Sequence, residues 1–406
     1  MNNMELYNLS KKVVVERNIF SFKEIEKSIS KIFDLFPLPE NKNIRILLKP
    51  NCNNDLNALT GNSTDLRVIV CVINELKKRG YKEIILAEGC NCGINHIGID
   101  VLERLRIKSL GEILNVKIID LNKTTYRKIT LADDKFVKIS EEIFKADFVI
   151  NLPKLKTHVE AGISIATKNL MGCLQGLEKR RIHDNFFPNI VSLGNQIRIN
   201  LNIVDGIIAM EGNGPGDGIA KKVGCLVAGN DCFLVDAVCA KLMGYEINEI
   251  KYLKIKGFSR EDLDVLDKIQ NTYNFIKAKK NLMSSVLLKN IFVRPRYWRA
   301  FDPIFSSGFI PDFLYKIKVR QDVYIKDEVN LDAFEILDVN ECNRLLDIIC
   351  PMELKVENGN IPIDKCLKCM YCYFLDNKKS IKIKGEFGYL QQHIDRFGKF
   401  IHKLKL

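Results

Sequence analysis

Residues 44–51, Ile44-Arg45-Ile46-Leu47-Leu48-Lys49-Pro50-Asn51, form an aliphatic run that ends abruptly in a Lys-Pro-Asn corner. A short, nearly continuous apolar run of this kind reads as a strand buried on both faces. Just beyond it, Thr64 to Arg79 carries Leu66, Val68, Ile69, Val72, Ile73 and Leu76 at helical spacing, with Thr64 or Asp65 as N-cap and Gly80 as the stop. A second strand follows at 83–87 and ends in Glu88-Gly89. Residues 115–120, 147–152, 201–209 and 224–228 repeat the short apolar theme, and a helix is expected over 232–243, capped by Asp231. Strands alternating with helices predict an α/β fold, with a mostly parallel sheet and helices on both faces. Ligands in such folds bind beyond the carboxyl ends of the strands, where the polar motifs of this chain lie.

The chain has 406 residues, enough for two or three compact units, and 47% of them are apolar. The N-terminal residues are polar, and no apolar run reaches the roughly 18 residues of a membrane-spanning helix, so a cytoplasmic protein is expected. Thirteen cysteines, an odd number without an export signal, argue against a disulfide framework. Cys71, Cys225, Cys232 and Cys239 fall in apolar patterns and read as core residues. The net charge of +12 comes from lysines scattered among acids, and no nucleic-acid module is recognisable. The charge instead suits an anionic small molecule, an acidic redox partner or, less well, a membrane surface.

The α/β region places its polar residues at strand ends. Lys154-Leu-Lys156-Thr157-His158 follows the strand at 147–152, and Ser164, Lys168 and Asn169 come soon after. Lysine ammonium groups supply charge and hydroxyls supply donors, a combination suited to an anion. A helix beginning near Ala161 would add its N-terminal amides and carry Lys168 and Asn169 about two turns along it. Asp205-Gly206 and Glu211-Gly212 lie at the ends of the next apolar segment, where the two carboxylates are candidates for acid–base chemistry or for a divalent cation. The glycine-rich stretch 212–216 fits neither a dinucleotide fingerprint nor a P-loop. Cys90 and Cys92 with His96, and His183 after Lys179-Arg180-Arg181, are weaker candidates.

Toward the C-terminus, Cys366-Leu-Lys-Cys369-Met-Tyr-Cys372 has the C-x2-C-x2-C spacing that wraps three irons of a cubane. Cys350-Pro351 supplies a remote fourth cysteine, and Ile361 to Asp364 resembles the short strand before a ferredoxin cysteine loop. Cys372 is followed by Tyr-Phe-Leu-Asp rather than by another Cys-Pro, so one 4Fe-4S cluster on Cys350, Cys366, Cys369 and Cys372 is expected, in a small ferredoxin-like module. A four-cysteine zinc site is the rival, and Cys342 is a spare thiol nearby. The expected boundaries are 1–260 for the α/β domain, 261–335 for an aromatic and basic extension around Arg294 to Tyr315, 336–380 for the cluster module and 381–406 for an amphipathic tail.

The strand ends and loops together resemble the uncharacterised family called domain of unknown function 362. The shared elements are Lys49-Pro50-Asn51, Lys154-Leu-Lys156-Thr157-His158, Thr167-Lys168-Asn169 with Gly172, and Asp205-Gly206 with Glu211-Gly212, in order over residues 44 to 245. The resemblance implies an α/β domain, often followed by a ferredoxin-type module, and no defined reaction. A fainter likeness links His158-Val-Glu-Ala161-Gly162-Ile-Ser164 to the H-x-x-A-G-x-S stretch of nickel-dependent lactate racemases. That likeness points to a shared domain rather than to a nickel cofactor.

The candidate catalytic residues are therefore His158, Lys156, Lys168, Asp205 and Glu211. Lys49, Asn51, Lys154, Thr157, Ser164 and Asn169 are candidate substrate contacts. The expected function is a redox enzyme, passing electrons from a ferredoxin-like donor through the cluster to an anionic substrate. Two alternatives stay open: a non-catalytic electron-transfer or accessory protein docking an acidic partner, and a non-redox enzyme with a structural cluster.

Overall fold

The computed structural model describes residues 4–91, 99–279 and 330–386. The aromatic and basic stretch from Arg294 to Tyr315, the amphipathic tail from Phe387 onward, and Cys92 with His96 lie outside the described residues.

The strands are β1 (Met4–Asn8), β2 (Lys12–Arg17), β3 (Arg45–Pro50), β4 (Glu83–Glu88), β5 (Lys117–Asp120), β6 (Tyr126–Thr130), β7 (Phe136–Ser140), β8 (Phe148–Leu152), β9 (Lys154–His158), β10 (Gly162–Ser164), β11 (Leu201–Asn213), β12 (Asp217–Gly229), β13 (Asn330–Ile336) and β14 (Ile381–Glu386). The main sheet runs β1-β2-β12-β11-β8-β3-β4-β5, with β9 and β10 attached beside β11. From β11 through β5 the ladders are parallel, as the alternation of elements predicts. The other end differs: β1, β2, β12 and β11 pair antiparallel, because β11 and β12 form one long hairpin where sequence periodicity shows only two short apolar cores.

Helices cover both faces. On one face pack α1 (Phe22–Leu35) and α2 (Leu66–Lys78). Ser21 caps α1 in a capping box with Glu24, and Asp65 caps α2 by accepting from the Arg67 amide. On the other face lie the helices Phe186–Gln196 and Cys232–Met243, the second capped by Asp231 as expected. Every residue of the Cys232–Met243 helix is buried, so it shows no amphipathic stripe.

The C-terminal residues share the first core. Phe334, Leu345, Leu346, Ile349, Tyr371 and Phe374 join the cluster that includes Leu59, Leu66 and Val70. This unit is framed by the β13–β14 pair and contains the helices Val339–Ile349 and Tyr371–Leu375. Two local expectations are corrected. No helix starts near Ala161: β9 and β10 form a tight antiparallel pair, and the helical turn begins at Ala166, because Asp236 accepts from the Ala166 and Thr167 amides and anchors the turn there. Residues Ile361 to Asp364 form no strand; the chain there turns after the Glu357–Asn360 bridge.

Candidate functional site

The carboxyl ends of β3, β4 and β8 open into a cleft of about 300 Å³, lined by Asn51, Glu88, Lys156, His158, Ser164, Lys168, Asn169, Arg180 and His183 among others. Strand periodicity puts Lys154, Lys156 and His158 on one face of β9, and the register sets Lys156 opposite Ser164 and His158 opposite Gly162.

A chain of asparagines fixes the cleft floor. The Asn51 amide donates to Asn169 Oδ1 (2.7 Å), Asn169 to Asn151 Oδ1 (2.8 Å), and Asn151 to Asn202 Oδ1 (2.9 Å). Each side chain is buried, and each orients the next. The end of the chain turns Asn51 Oδ1 toward Lys156, whose Nζ donates to it at 2.7 Å and to the Asn62 carbonyl at 2.8 Å.

Four lysines stand at this end of the sheet in two different states. Lys49 Nζ lies 2.9 Å from Glu88 Oε1, and Lys154 Nζ lies 2.8 Å from Asp205 Oδ2, all four side chains being buried. Gly172 permits the first pair, since a Cβ there would fall 2.3 Å from Glu88 Oε1 and 2.7 Å from Lys49 Nζ. Lys156 and Lys168 have no carboxylate within ion-pair distance among the described residues. Lys168 Nζ meets the Met171 sulfur at 3.5 Å and lies 5.5 Å from the centre of the Phe186 ring. Burial, with the charges of Lys168 and Lys154 adding to it, lowers the Lys156 amine to about 7, and burial lowers Lys168 to about 8.

His158 Nδ1 accepts from the Glu160 amide (3.0 Å) and the Ala161 amide (3.2 Å), so a neutral ring carries its proton on Nε2. Lys179 donates to the carbonyls of Gly89 and Cys90 and to Asn122, tying the cleft rim together.

The structure thus gathers seven sequence candidates in the cleft: Asn51, Lys156, His158, Ser164, Lys168 and Asn169, and with them the weaker candidate His183. Lys49 stands behind it, through Glu88. The others go elsewhere. Lys154 and Asp205 form a buried ion pair, in which Asp205 also accepts from the amides of Asp65 and Ile207. Thr157 points to the opposite face of β9 and donates to the Gly212 carbonyl at 2.7 Å. Glu211 accepts from Lys221 and from the Ile276 amide. Glu88 and Arg180 line the cleft without having been singled out in the sequence; the strand-end position of Glu88 is the signal that could have found it.

The second candidate site is the cysteine loop. Cys350, Cys366, Cys369 and Cys372 line one cavity of about 20 Å³, together with Phe334, Leu346, Leu354 and Leu367. Lys368 and Met370 adopt left-handed backbone (φ 53° and 63°) between the last three cysteines, a cost that non-glycine residues bear at constrained sites. The Lys368 amide donates to Cys366 Sγ (3.3 Å) and the Leu354 amide to Cys350 Sγ (3.4 Å). Burial, with the other cysteines adding to it, pushes the Cys369 and Cys372 thiols well above their ordinary range. Among the described residues, no three His, Cys, Asp or Glu side chains are arranged to hold a metal ion. Nor is any helix among them long and apolar enough to cross a membrane.

Residues 46–241 match the family described as Domain of unknown function (DUF362). A thylakoid-associated protein, sll1697, of Synechocystis sp. (strain ATCC 27184 / PCC 6803 / Kazusa) is 32% identical over 217 residues, which cover 49% of this chain and 63% of that protein. The chain therefore matches less than two thirds of that relative's length. The lactate racemase apoprotein from Thermoanaerobacterium thermosaccharolyticum aligns with a TM-score of 0.36 and 12% identity, covering 51% of this chain and 52% of that one. At that score the likeness carries no argument.

Proposed function

We propose that this chain is a DUF362-type protein that binds an anionic small molecule in the lysine cleft and holds one 4Fe-4S cluster on Cys350, Cys366, Cys369 and Cys372, acting as a redox enzyme. The observation that carries the reading is a single loop. Residues 51–65, which follow β3, begin with Asn51 in the cleft and continue to Asn57, whose amide donates to the Cys369 carbonyl at 3.1 Å. At the loop's end the Leu66 amide donates to the Tyr371 hydroxyl at 3.2 Å. The cysteine site and the cleft therefore share this loop as a wall.

The donor set fits a cluster. Burial raises the ionisation cost of all four thiols, and neighbouring cysteines add to it at Cys350, Cys369 and Cys372, a cost that bound iron would offset. Backbone amides aimed at two sulfurs, and an apolar surround, are what stabilise and tune such a group. A four-cysteine zinc site is the rival reading of the same residues, and metal analysis separates the two. When bound, the cluster supplies single electrons. In the cleft, Lys168 neutralises the anionic group, Asn51 and Ser164 orient it, and His158 lines the wall beside it as a proton donor.

Anaerobic purification with iron, sulfide and zinc analysis tests this reading. About four irons and four sulfides per chain are expected, bleached by dithionite and lost in Cys369→Ser, with iron retained in His158→Ala. One zinc and no sulfide would overturn it. A cluster that reduces normally in a chain whose cleft takes up no anion would favour the electron-transfer alternative.

A further inference from the structure

Lys156 is set apart from its neighbours by geometry. Its side chain is 1% exposed, yet it lines the cleft and makes no ion pair among the described residues. Both of its hydrogen bonds run to oxygens, Asn51 Oδ1 and the Asn62 carbonyl. A neutral amine has two N–H donors and one lone pair; with both hydrogens committed, the lone pair is held in a fixed direction. The Lys49 and Lys154 amines, by contrast, are each paired to a carboxylate.

We infer that Lys156 is a nucleophile that condenses with the carbonyl carbon of a small α-oxo carboxylate held in the cleft. This inference rests on the anion-binding reading of the cleft and names the substrate class. The Lys156 nitrogen forms a bond to the carbonyl carbon as the C–O π bond opens, and the oxygen takes one of the amine's protons, giving a carbinolamine. His158 stands two residues along the same strand face with its proton on Nε2; it relays the second amine proton, giving its Nε2 proton to that oxygen, which leaves as water, and taking the nitrogen's proton in return. The imine that remains has lost one water and requires neither oxidant nor reductant. Lys168 pairs with the carboxylate. Burial keeps much of the Lys156 amine neutral near pH 7; Lys168 and Lys154 act in the same direction, and Glu88 and Cys52 oppose.

The test treats the full chain with pyruvate or with neutral acetone, each with cyanoborohydride, and maps reduced adducts by peptide mass spectrometry. With pyruvate, Lys156 should label about 10²- to 10³-fold faster at pH 7 than surface lysines such as Lys78, in line with its larger neutral fraction. The rate should rise with pH through about 7. Lys156→Arg should abolish that label, and Lys168→Ala should slow pyruvate but not acetone. Labelling of Lys156 no faster than of surface lysines overturns the inference. The mapping uses the unaltered chain, so a variant that fails to fold does not spoil it. Oxalate, which cannot form the imine, separates the two readings. Stabilisation by oxalate without labelling of Lys156 sinks the nucleophile and leaves the anion cleft standing. Equal labelling by acetone and pyruvate, with no oxalate effect, sinks the anionic substrate class and the cleft reading together.

Discussion

Lys154 and Lys156 lie two residues apart on one strand face, equally buried, and yet belong to different regions of the molecule. Lys154 joins a belt of buried ion pairs that runs beneath the sheet end: Lys154–Asp205, Lys49–Glu88 and Arg67–Asp65, with nitrogen–oxygen distances of 2.8, 2.9 and 2.7 Å. Lys156 opens into the cleft, where its amine and that of Lys168 have no carboxylate within ion-pair distance among the described residues. The belt pairs each charge it takes out of water. Among the described residues the cleft pairs neither of its two amines, and an amine whose ionisation is suppressed by burial marks a candidate site. The difference teaches that burial alone does not assign a role; what matters is whether the protein itself supplies the counter-charge.

The comparison can be broken most forcefully at Asp205. Its two oxygens accept from Lys154, from the Asp65 amide and from the Ile207 amide. Asp205→Ala leaves the buried Lys154 amine without its ion-pair partner, and should cost about 3–5 kcal/mol in urea unfolding. The double variant Asp205→Leu with Lys154→Met should recover much of that loss, since removing both charges removes the uncompensated one. Lys156→Met should be neutral or stabilising at pH 7. If Asp205→Ala costs less than about 1 kcal/mol, or Lys156→Met costs as much as it does, the belt and the cleft are not distinct.

How much of this was legible beforehand follows from sequence distance. The strands at 44–49, 83–87 and 147–152, the helix at 232–243 and the Asp65 and Asp231 caps rest on neighbours within a few residues, and all appear close to where periodicity puts them. The candidate residues from Lys154 to Asn169 are neighbours in sequence, so local spacing groups them, and of these Lys156, His158, Ser164, Lys168 and Asn169 line the cleft. Which lysine is paired was not legible. The partner of Lys154 lies 51 residues on and that of Lys49 39 residues on, and nothing local distinguishes Lys154 from Lys156. The helix start near Ala161 failed similarly, because Asp236, 70 residues away, holds the Ala166 turn. The contact of Asn57 with Cys369 spans 312 residues, so the shared wall between the two sites was beyond any reading of spacing.

A smaller effect sharpens the comparison through pH. The Lys156 amine, lowered to about 7 in the folded chain, has the ordinary value of roughly 10.4 when unfolded. Between these values the unfolded chain binds more protons than the folded one. Stability should therefore rise with pH across the window from about 7 upward, by at most ~1.4 kcal/mol per pH unit from this group, and the penalty should be complete below it. Lys156→Met should flatten that part of the stability–pH curve, and Lys154→Met/Asp205→Leu should leave it in place. A slope unchanged by Lys156→Met would mean that the amine remains charged when buried, against both the nucleophile and the asymmetry between the two lysines.

The smallest effect concerns Lys168, which sits partly buried over the cleft. If its charge is the one that a ligand completes, Lys168→Ala should weaken oxalate or phosphate binding about tenfold, roughly 1.4 kcal/mol by calorimetry at low salt. Lys221→Ala, which removes a lysine already paired to Glu211 outside the cleft, should not change it. The pH dependence gives the comparison its sign. Lys168 is lowered to about 8 by burial, so anion affinity of the unaltered chain should fall as pH rises through 8 and the ammonium is lost. Anion binding should itself hold the proton on Lys168, shifting that fall to higher pH as the ligand concentration increases. Lys168→Ala should bind weakly at every pH without that fall. Equal affinities in Lys168→Ala and in the unaltered chain would move the counter-charge elsewhere on the rim, with Arg180 the next residue to replace.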